Sequence, residues 1–397
     1  MKVNSRHCGT FKGMRTSPLG NKMAKAITFV LTEECNFRCT YCYLVHKNSK
    51  KRMTFETAKA AIDYVLENRA LFNEPSVGWD FIGGEPLLEI DLIEQIVVYI
   101  KQRTYELDHP WFAASNFGAT TNGALYGTAK VQRFIKKYKD SFGMSVTIDG
   151  PRHVHDIARV YKDGRGTYDD VVANIPLWQK QYPGTATKVT VAHENLRWLA
   201  ESILHIFDLG IKEIHANVVF EDVWRDDDPK ILEEQLDILG DAMLRTGLHR
   251  DHTCSFFNRM IGIPLDPVKD NGNWCGAGKM LAIDTQGAFY PCNRFLPFSL
   301  EKKEARAVGN IRDGIDLNRV RPFLALTRSS QSPKACMECD VAQGCAWCQG
   351  FNYDAADTPT IYSRATYICE MHKARVRANK RYWQQKDKID GKIRETP

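Results

Sequence analysis

The chain has no long apolar run. No stretch approaches the roughly 18 consecutive apolar residues of a membrane-crossing helix, so no membrane association is expected. The first 25 residues are basic, broken by glycine and proline, and lack the apolar core of a secretion signal, so the protein is read as cytoplasmic. There is no internal repeat, no low-complexity segment and no nucleic-acid-binding motif. The rest of the composition is that of an ordinary soluble globular protein, 43% hydrophobic and 26% charged over 397 residues, enough for roughly two to three domains. The net charge of +6 is modest. Much of it lies near the ends, at Lys2, Arg6, Lys12 and Arg15 and at Lys373, Arg375, Arg377, Lys380 and Arg381. It reads as solvated tail charge, with attraction for an acidic peptide or another anionic partner as the alternative.

Cysteine is what stands out, with 12 residues. A chain of this size without an export signal does not need disulfides, and cysteine clusters in such proteins point to metal binding or catalysis. Cys35, Cys39 and Cys42 lie close together, and Cys275, Cys292, Cys336, Cys339, Cys345, Cys348 and Cys369 fill the C-terminal part. Cys254 stands between the two groups, and Cys8 in the N-terminal tail reads as a spare thiol.

Strands are expected at 26–32, 77–82, 117–121, 142–148, 187–192 and 212–219, from short apolar or alternating runs. Between them, helical spacing predicts a helix capped by Thr54, with Phe55, Ala58, Ala61, Ile62, Val65 and Leu66 on one face. Further helices are expected at about 90–103, 129–138, 168–182 and 196–208. Alternation of this kind predicts parallel βαβ units, whose strand C-termini form one site-bearing face. Six units make an α/β partial (β/α)6 barrel. Asp228, as N-cap, and Pro229 open a helix to about Arg245. The expected organisation is a basic N-terminal tail at 1–25, the barrel at 26–222, a helical bridge at 223–274, a cysteine-rich domain at 275–380 and a C-terminal tail at 381–397. After 275 glycine, proline and cysteine dominate, as in a small fold held by metal.

Three thiolates in Cys35-x3-Cys39-x2-Cys42 suit an iron–sulfur cube with one iron left open. A closed structural zinc site wants four ligands, which only His46 would complete here. The trio resembles the CxxxCxxC motif of the radical S-adenosylmethionine (SAM) superfamily, with Tyr41 as the aromatic before the last cysteine. The resemblance implies that the open iron holds SAM and that its reductive cleavage gives a 5′-deoxyadenosyl radical. Gly83-Gly84-Glu85-Pro86 resembles the family's GGEP segment, the glycines admitting the ligand closely and Glu85 accepting from the SAM ammonium. Thr121-Asn122-Gly123 and Thr147-Ile148-Asp149-Gly150 resemble its SAM-contacting strand ends, with Thr147 in place of a serine. Arg159 is a candidate partner of the SAM carboxylate, or else a surface ion pair.

The seven C-terminal cysteines resemble the SPASM domain of peptide-modifying radical SAM enzymes. The resemblance implies two auxiliary [4Fe–4S] clusters, making three in all: one on Cys275, Cys292 and Cys348, the outer one on Cys336, Cys339, Cys345 and Cys369. The gap between Cys345 and Cys348 is one residue shorter than usual. Seven ligands for two cubes leave either an open iron or Cys254 as the eighth ligand. Zinc on the paired CxxC knuckles is the competing reading. Within the family, thioether-forming maturases of cysteine-rich ribosomal peptides compete with anaerobic sulfatase-maturing enzymes. The latter carry a general-base aspartate after the second SPASM cysteine, where this chain has Asn293, which cannot take a proton. The implied partners are a precursor peptide and a flavodoxin- or ferredoxin-type electron donor. Outside the enzymes, an iron–sulfur electron carrier or a zinc-binding interaction protein remains the alternative.

Overall fold

A computed structural model describes residues 26–47, 49–356 and 360–391. Lys2, Arg6, Cys8, Lys12 and Arg15 lie outside the described residues. Six strands follow the chain in the expected order: β1 (Ala26–Val30), β2 (Val77–Ile82), β3 (Ser115–Thr121), β4 (Phe142–Val146), β5 (Thr187–Val191) and β6 (Glu213–Val218). The first four pair in parallel, and β5 pairs in parallel with β6. Between the two groups a parallel bridge joins Thr147 to Lys188. It is reinforced by Ser145 Oγ donating to Ala186 O at 2.8 Å and Thr187 Oγ1 donating to Val146 O at 2.7 Å.

The helices between the strands follow the apolar spacing. In α1 (Phe55–Glu67) Ala58, Ala61, Ile62, Val65 and Leu66 are buried, and Thr54 Oγ1 accepts from Thr57 N–H at 3.1 Å. Then come α2 (Ile90–Glu106), α3 (Ala129–Tyr138) and α4 (Arg152–Ala158). The helix expected over 168–182 is two, α5 (Tyr168–Val172) and α6 (Ile175–Gln181). Pro176 sits in the first turn of α6, and proline cannot continue a preceding helix. Asn174 holds the joint by donating to Asp170 O and Gly123 O.

Two layers result. The outward side chains of the sheet form a dry stack under the helices, with Phe29 between Trp79 and Phe81 at centroid distances of 6.1 and 6.0 Å. The opposite face carries small and polar groups, Asp80, Gly118, Ser145 and Lys188 among them. Asp80 has no hydrogen-bond partner among the described residues, and burial raises its carboxyl to about 6. The folded state therefore holds a proton there that the unfolded chain loses near pH 4, so stability falls as pH rises from about 4 to about 6 and levels off above. Asp80→Asn is expected to stabilise the fold by about 1–3 kcal/mol at pH 8 and to have little effect at pH 4. Denaturant midpoints at the two pH values check this.

The helix after β6, counted after α7 (Leu199–Asp208), is α8 (Asp228–Thr246). Its N-cap is Asp227 rather than Asp228. The Asp228 carboxylate accepts instead from Arg225 N–H at 2.8 Å and pairs with His193 Nδ1 at 2.8 Å. The short β7 (Thr253–Cys254) extends β5–β6.

The cysteine-rich part is joined to the main sheet. β8 (Met280–Ile283) pairs in parallel with β1, from Ala26↔Met280 to Phe29↔Ile283, and folds back as a hairpin with β9 (Ala288–Tyr290). β1 thus lies between β2 and β8, and all five of its residues are buried. The expected boundary at 275 is a change in sequence character across which the sheet continues. The C-terminal basic residues are not a tail either. They lie on helix Cys369–Ile389, which packs on α8. There Arg377 and Arg381 both pair with Glu233 at 2.6 Å, and Arg381 with Asp237 at 2.7 Å. No helix among the described residues is long and apolar enough to cross a membrane.

Candidate active site

The loop after β1 is held by backbone bonds that do not depend on its cysteines. Arg38 N–H donates to Val160 O at 2.7 Å, Thr40 N–H to Ala158 O at 3.0 Å, and Phe37 bridges Tyr161. Within the loop Cys35, Cys39 and Cys42 lie within electrostatic reach of one another and of Lys47. Burial pushes the Cys35 thiol up to about 12, so metal binding must displace its proton.

The segment after β2 fits against this loop. Gly84 N–H donates to Thr32 O at 2.9 Å and Glu85 N–H to Glu34 O at 3.0 Å. A Cβ on Gly84 would stand 2.2 Å from Glu34 O, and one on Gly83 2.5 Å from Thr32 O. The glycines therefore admit the cysteine loop's own backbone, a tighter requirement than the ligand approach expected from sequence. Pro86 opens the short helix that follows. Glu85, 1% exposed, accepts from Thr121 Oγ1 at 2.6 Å, Asn122 N–H at 2.8 Å and Leu87 N–H at 3.0 Å. Asn122 Nδ2 donates to Asn36 Oδ1 at 2.7 Å, beside Cys35. One buried carboxylate thus ties the ends of β2 and β3 to the cysteine loop.

A second network closes the other side. Thr147, after β4, donates its N–H to Thr121 O at 3.1 Å. Asp149 is 1% exposed, accepts from Tyr41 OH and from Thr190 N–H at 3.0 Å, and pairs with Arg159 at 3.9 Å. Arg159 Nη1 donates to Tyr41 OH at 2.8 Å. Arg159 is 5% exposed, so the surface-ion-pair reading does not hold. Burial raises the Asp149 carboxyl against the pull of Arg159. His155, fully buried, accepts from Asp149 N–H through Nδ1 and meets Thr167 Oγ1 through Nε2. Burial drives its pKa well below the usual value, so it acts as a neutral brace.

The C-terminal thiols lie in two groups. Cys275, Cys292 and Cys348 act on one another electrostatically, as do Cys336, Cys339, Cys345 and Cys369. Gln349 N–H donates to Cys275 Sγ at 3.3 Å, and Arg364 Nη2 to Cys345 Sγ at 3.4 Å. Cys254 joins neither set. It is a 3% exposed core thiol of β7, raised to about 11 by burial, with Arg375 as its charged neighbour.

Sequence reasoning missed the link between the first two sets. Asn293 Nδ2 donates to Tyr43 OH at 3.0 Å, and the Arg294 guanidinium lies 5.1 Å from the Tyr43 ring centroid. Arg294 also pairs with Glu221 at 2.8 Å and feels the Cys348 thiol. Tyr43 adjoins Cys42, and Asn293 adjoins Cys292. Arg294, directly after Cys292 and Asn293, was the available signal.

Iron–sulfur cubes fit these sets. Among the described residues no three His, Cys, Asp or Glu side chains converge on one ion position, and His46 is exposed. Buried N–H donors without a partner among the described residues stand beside two of the sets: Arg159 Nε near Cys39 and Arg294 Nε near Cys348. Such donors are costly unless an acceptor is supplied, and anionic sulfur clusters would supply one.

Residues 29–206 match the model of the radical SAM superfamily. An uncharacterized protein of Methanocaldococcus jannaschii is 33% identical over 195 residues, 49% of this chain and 63% of that protein. The radical SAM cyclopropyl synthase TigE of Paramaledivibacter caminithermalis is 24% identical, the match covering 81% of this chain and 67% of TigE. A cysteine-type anaerobic sulfatase-maturating enzyme of Clostridium novyi is 24% identical over 44% of this chain and 46% of its own length. The matches to the first and third of these relatives thus span less than two thirds of their lengths. Among solved structures, anSMEcpe with bound AdoMet superposes with a TM-score of 0.67 at 18% identity, covering 92% of this chain and 99% of that one. SuiB of Streptococcus suis bound to precursor peptide SuiA gives 0.59 at 13% identity, covering 87% and 76%. With the cysteine loop and GGEP segment in place within it, residues 29–206 form a radical SAM domain, followed by a cysteine-rich C-terminal part.

Proposed function

We propose that the chain is a peptide maturase that joins a cysteine sulfur of a ribosomal precursor peptide to a carbon of another residue. The observation that carries this reading is the near C-terminal set, where Cys275, Cys292 and Cys348 are three thiols for a cube with four corners. With Cys254 in the core, one corner is left without a protein thiol among the described residues, open to a thiol of the peptide. A cube on Cys35, Cys39 and Cys42, when bound, supplies the electron that cleaves SAM into methionine and a 5′-deoxyadenosyl radical.

The chain's own residues then have defined tasks. Glu85, Thr121 and Asn122 fix the loop that presents the trio. Tyr41, Asp149 and Arg159 present a buried cation and its counter-charge to the methionine end of SAM. Tyr43, Asn293 and Arg294 span the gap from the primary set to the near auxiliary set, the space a peptide would occupy. TigE is named a cyclopropyl synthase and SuiB is seen with its precursor peptide, which supports peptides as the substrate class. Sulfatase-maturing relatives make formylglycine formation the competing reading. Asn293 weighs against it, since its amide donates to Tyr43 and accepts no proton.

Mass spectrometry after anaerobic turnover separates the two. A cysteine-rich candidate precursor is expected to lose two hydrogens per modification and keep its sulfur. Replacement of cysteine sulfur by an aldehyde oxygen on a sulfatase peptide would contradict the thioether reading.

A further inference from the structure

A cavity of about 400 Å³ opens on the polar face of the sheet, lined by Thr120, Ser145, Thr187, Lys188, His215 and Asn217. Thr120 and Ser145 lie just below the mouth, one residue down β3 from Thr121 and two residues before Thr147, while Lys188 is level with Thr147, its bridge partner. Most of its polar groups are already committed. Ser145 and Thr187 donate to backbone carbonyls across β4–β5, Asn217 Nδ2 donates to Val218 O, and His215 Nε2 pairs with Glu213 at 3.0 Å. Thr120 and Lys188 are the exceptions, and the Lys188 ammonium makes no hydrogen bond or ion pair among the described residues. Its charged neighbours come from four segments: Asp149 after β4, Arg159 after α4, Cys42 of the primary trio and Arg294 beside the near auxiliary set. Lys188 is exposed on this open face; neighbouring protein still lowers its pKa by desolvation, which an anion at the site would reverse.

We propose that this cavity is a carboxylate-recognition pocket, with Lys188 as its binding residue, and that it takes an acidic side chain of the peptide held between the primary and near auxiliary sets. This deepens the peptide-maturase reading and rests on it. SAM also carries a carboxylate. However, the buried Arg159, with an unpartnered Nε beside Cys39, is already placed to meet it at the mouth. An ammonium with three free donors, in a cavity that offers no counter-charge within 4 Å, favours a monoanion over a neutral amide.

The test uses the cluster-loaded enzyme with SAM and no reductant, so that nothing turns over. Two dye-labelled hexapeptides, each with one cysteine, differ only in aspartate against asparagine. Fluorescence anisotropy is expected to show the aspartate peptide binding at least about tenfold tighter. Lys188→Met should erase that ratio while SAM affinity and binding of the asparagine peptide stay unchanged, and Lys188→Arg should retain it. Unchanged SAM affinity also reports an intact fold. The proposal is overturned if the wild type shows no aspartate preference or if the ratio survives in Lys188→Met. A matching loss of SAM affinity would assign the carboxylate to SAM and overturn it as well. Formylglycine in place of a thioether would sink the maturase reading while leaving a Lys188-dependent ratio intact, so the two failures are distinguishable.

Discussion

Replacing Cys35, Cys39 and Cys42 together by alanine is expected to abolish 5′-deoxyadenosine formation and remove about four of about twelve irons per chain, with the fold intact. The loop carrying the trio is fixed from outside the thiols, by Arg38 and Thr40 bonding to the 158–160 segment and by Glu85 and Asn122 at the strand ends. The variant should therefore give the far-ultraviolet spectrum of the wild type. The two C-terminal sets draw their ligands from segments between 275 and 369, so their iron should remain. Residual SAM cleavage under reducing conditions would mean that another site makes the radical. Loss of all iron would mean that the three sets are not independent.

Gly84→Ala is expected to have nearly as large an effect by another route. Its Cβ would lie 2.2 Å from Glu34 O, 2.4 Å from Glu34 C and 2.7 Å from Cys35 N, all backbone atoms of the loop that carries the first cysteine. Backbone cannot swing aside as a flexible side chain can, so the loop or the GGEP segment must move. Displacement of reacting groups by about an ångström can cost about 100-fold in rate, and a loss of at least that size is expected in 5′-deoxyadenosine production. Iron content and the electron paramagnetic resonance signal of the primary cluster should fall as well. An alanine variant with wild-type cluster and activity would show that the loop is not held by this contact.

The fold was legible in the sequence where the signal is local. The apolar run AITFV, the spacing of Ala58, Ala61, Ile62, Val65 and Leu66, and the alternation around Trp79 and Phe81 each give their element directly. Pro176 marked the break in the 168–182 helix, but helical periodicity on both sides hid it. Asp228 looked like a cap because of its place before proline, and only the folded chain brings His193 and Arg225 to its carboxylate. The pairing of β8 with β1 joins residues more than 250 positions apart in sequence, and short apolar runs carry no information about such partners.

The site divides in the same way. Thiols at short spacing declare themselves, because one cube needs several ligands from a tight loop. Tyr41, Glu85, Thr121 and Asn122 stand out by following strands. Lys47, Lys188 and Arg294 are ordinary surface-type residues in the sequence and acquire meaning only where separate segments converge. Arg159 was ambiguous until its burial and its bond to Tyr41 excluded a surface ion pair.

Iron and acid-labile sulfide analysis of the anaerobically purified, reconstituted chain tests whether the three cysteine sets hold three iron–sulfur cubes. About twelve irons with matching sulfide per chain are expected, while stoichiometric zinc with no sulfide would contradict that assignment.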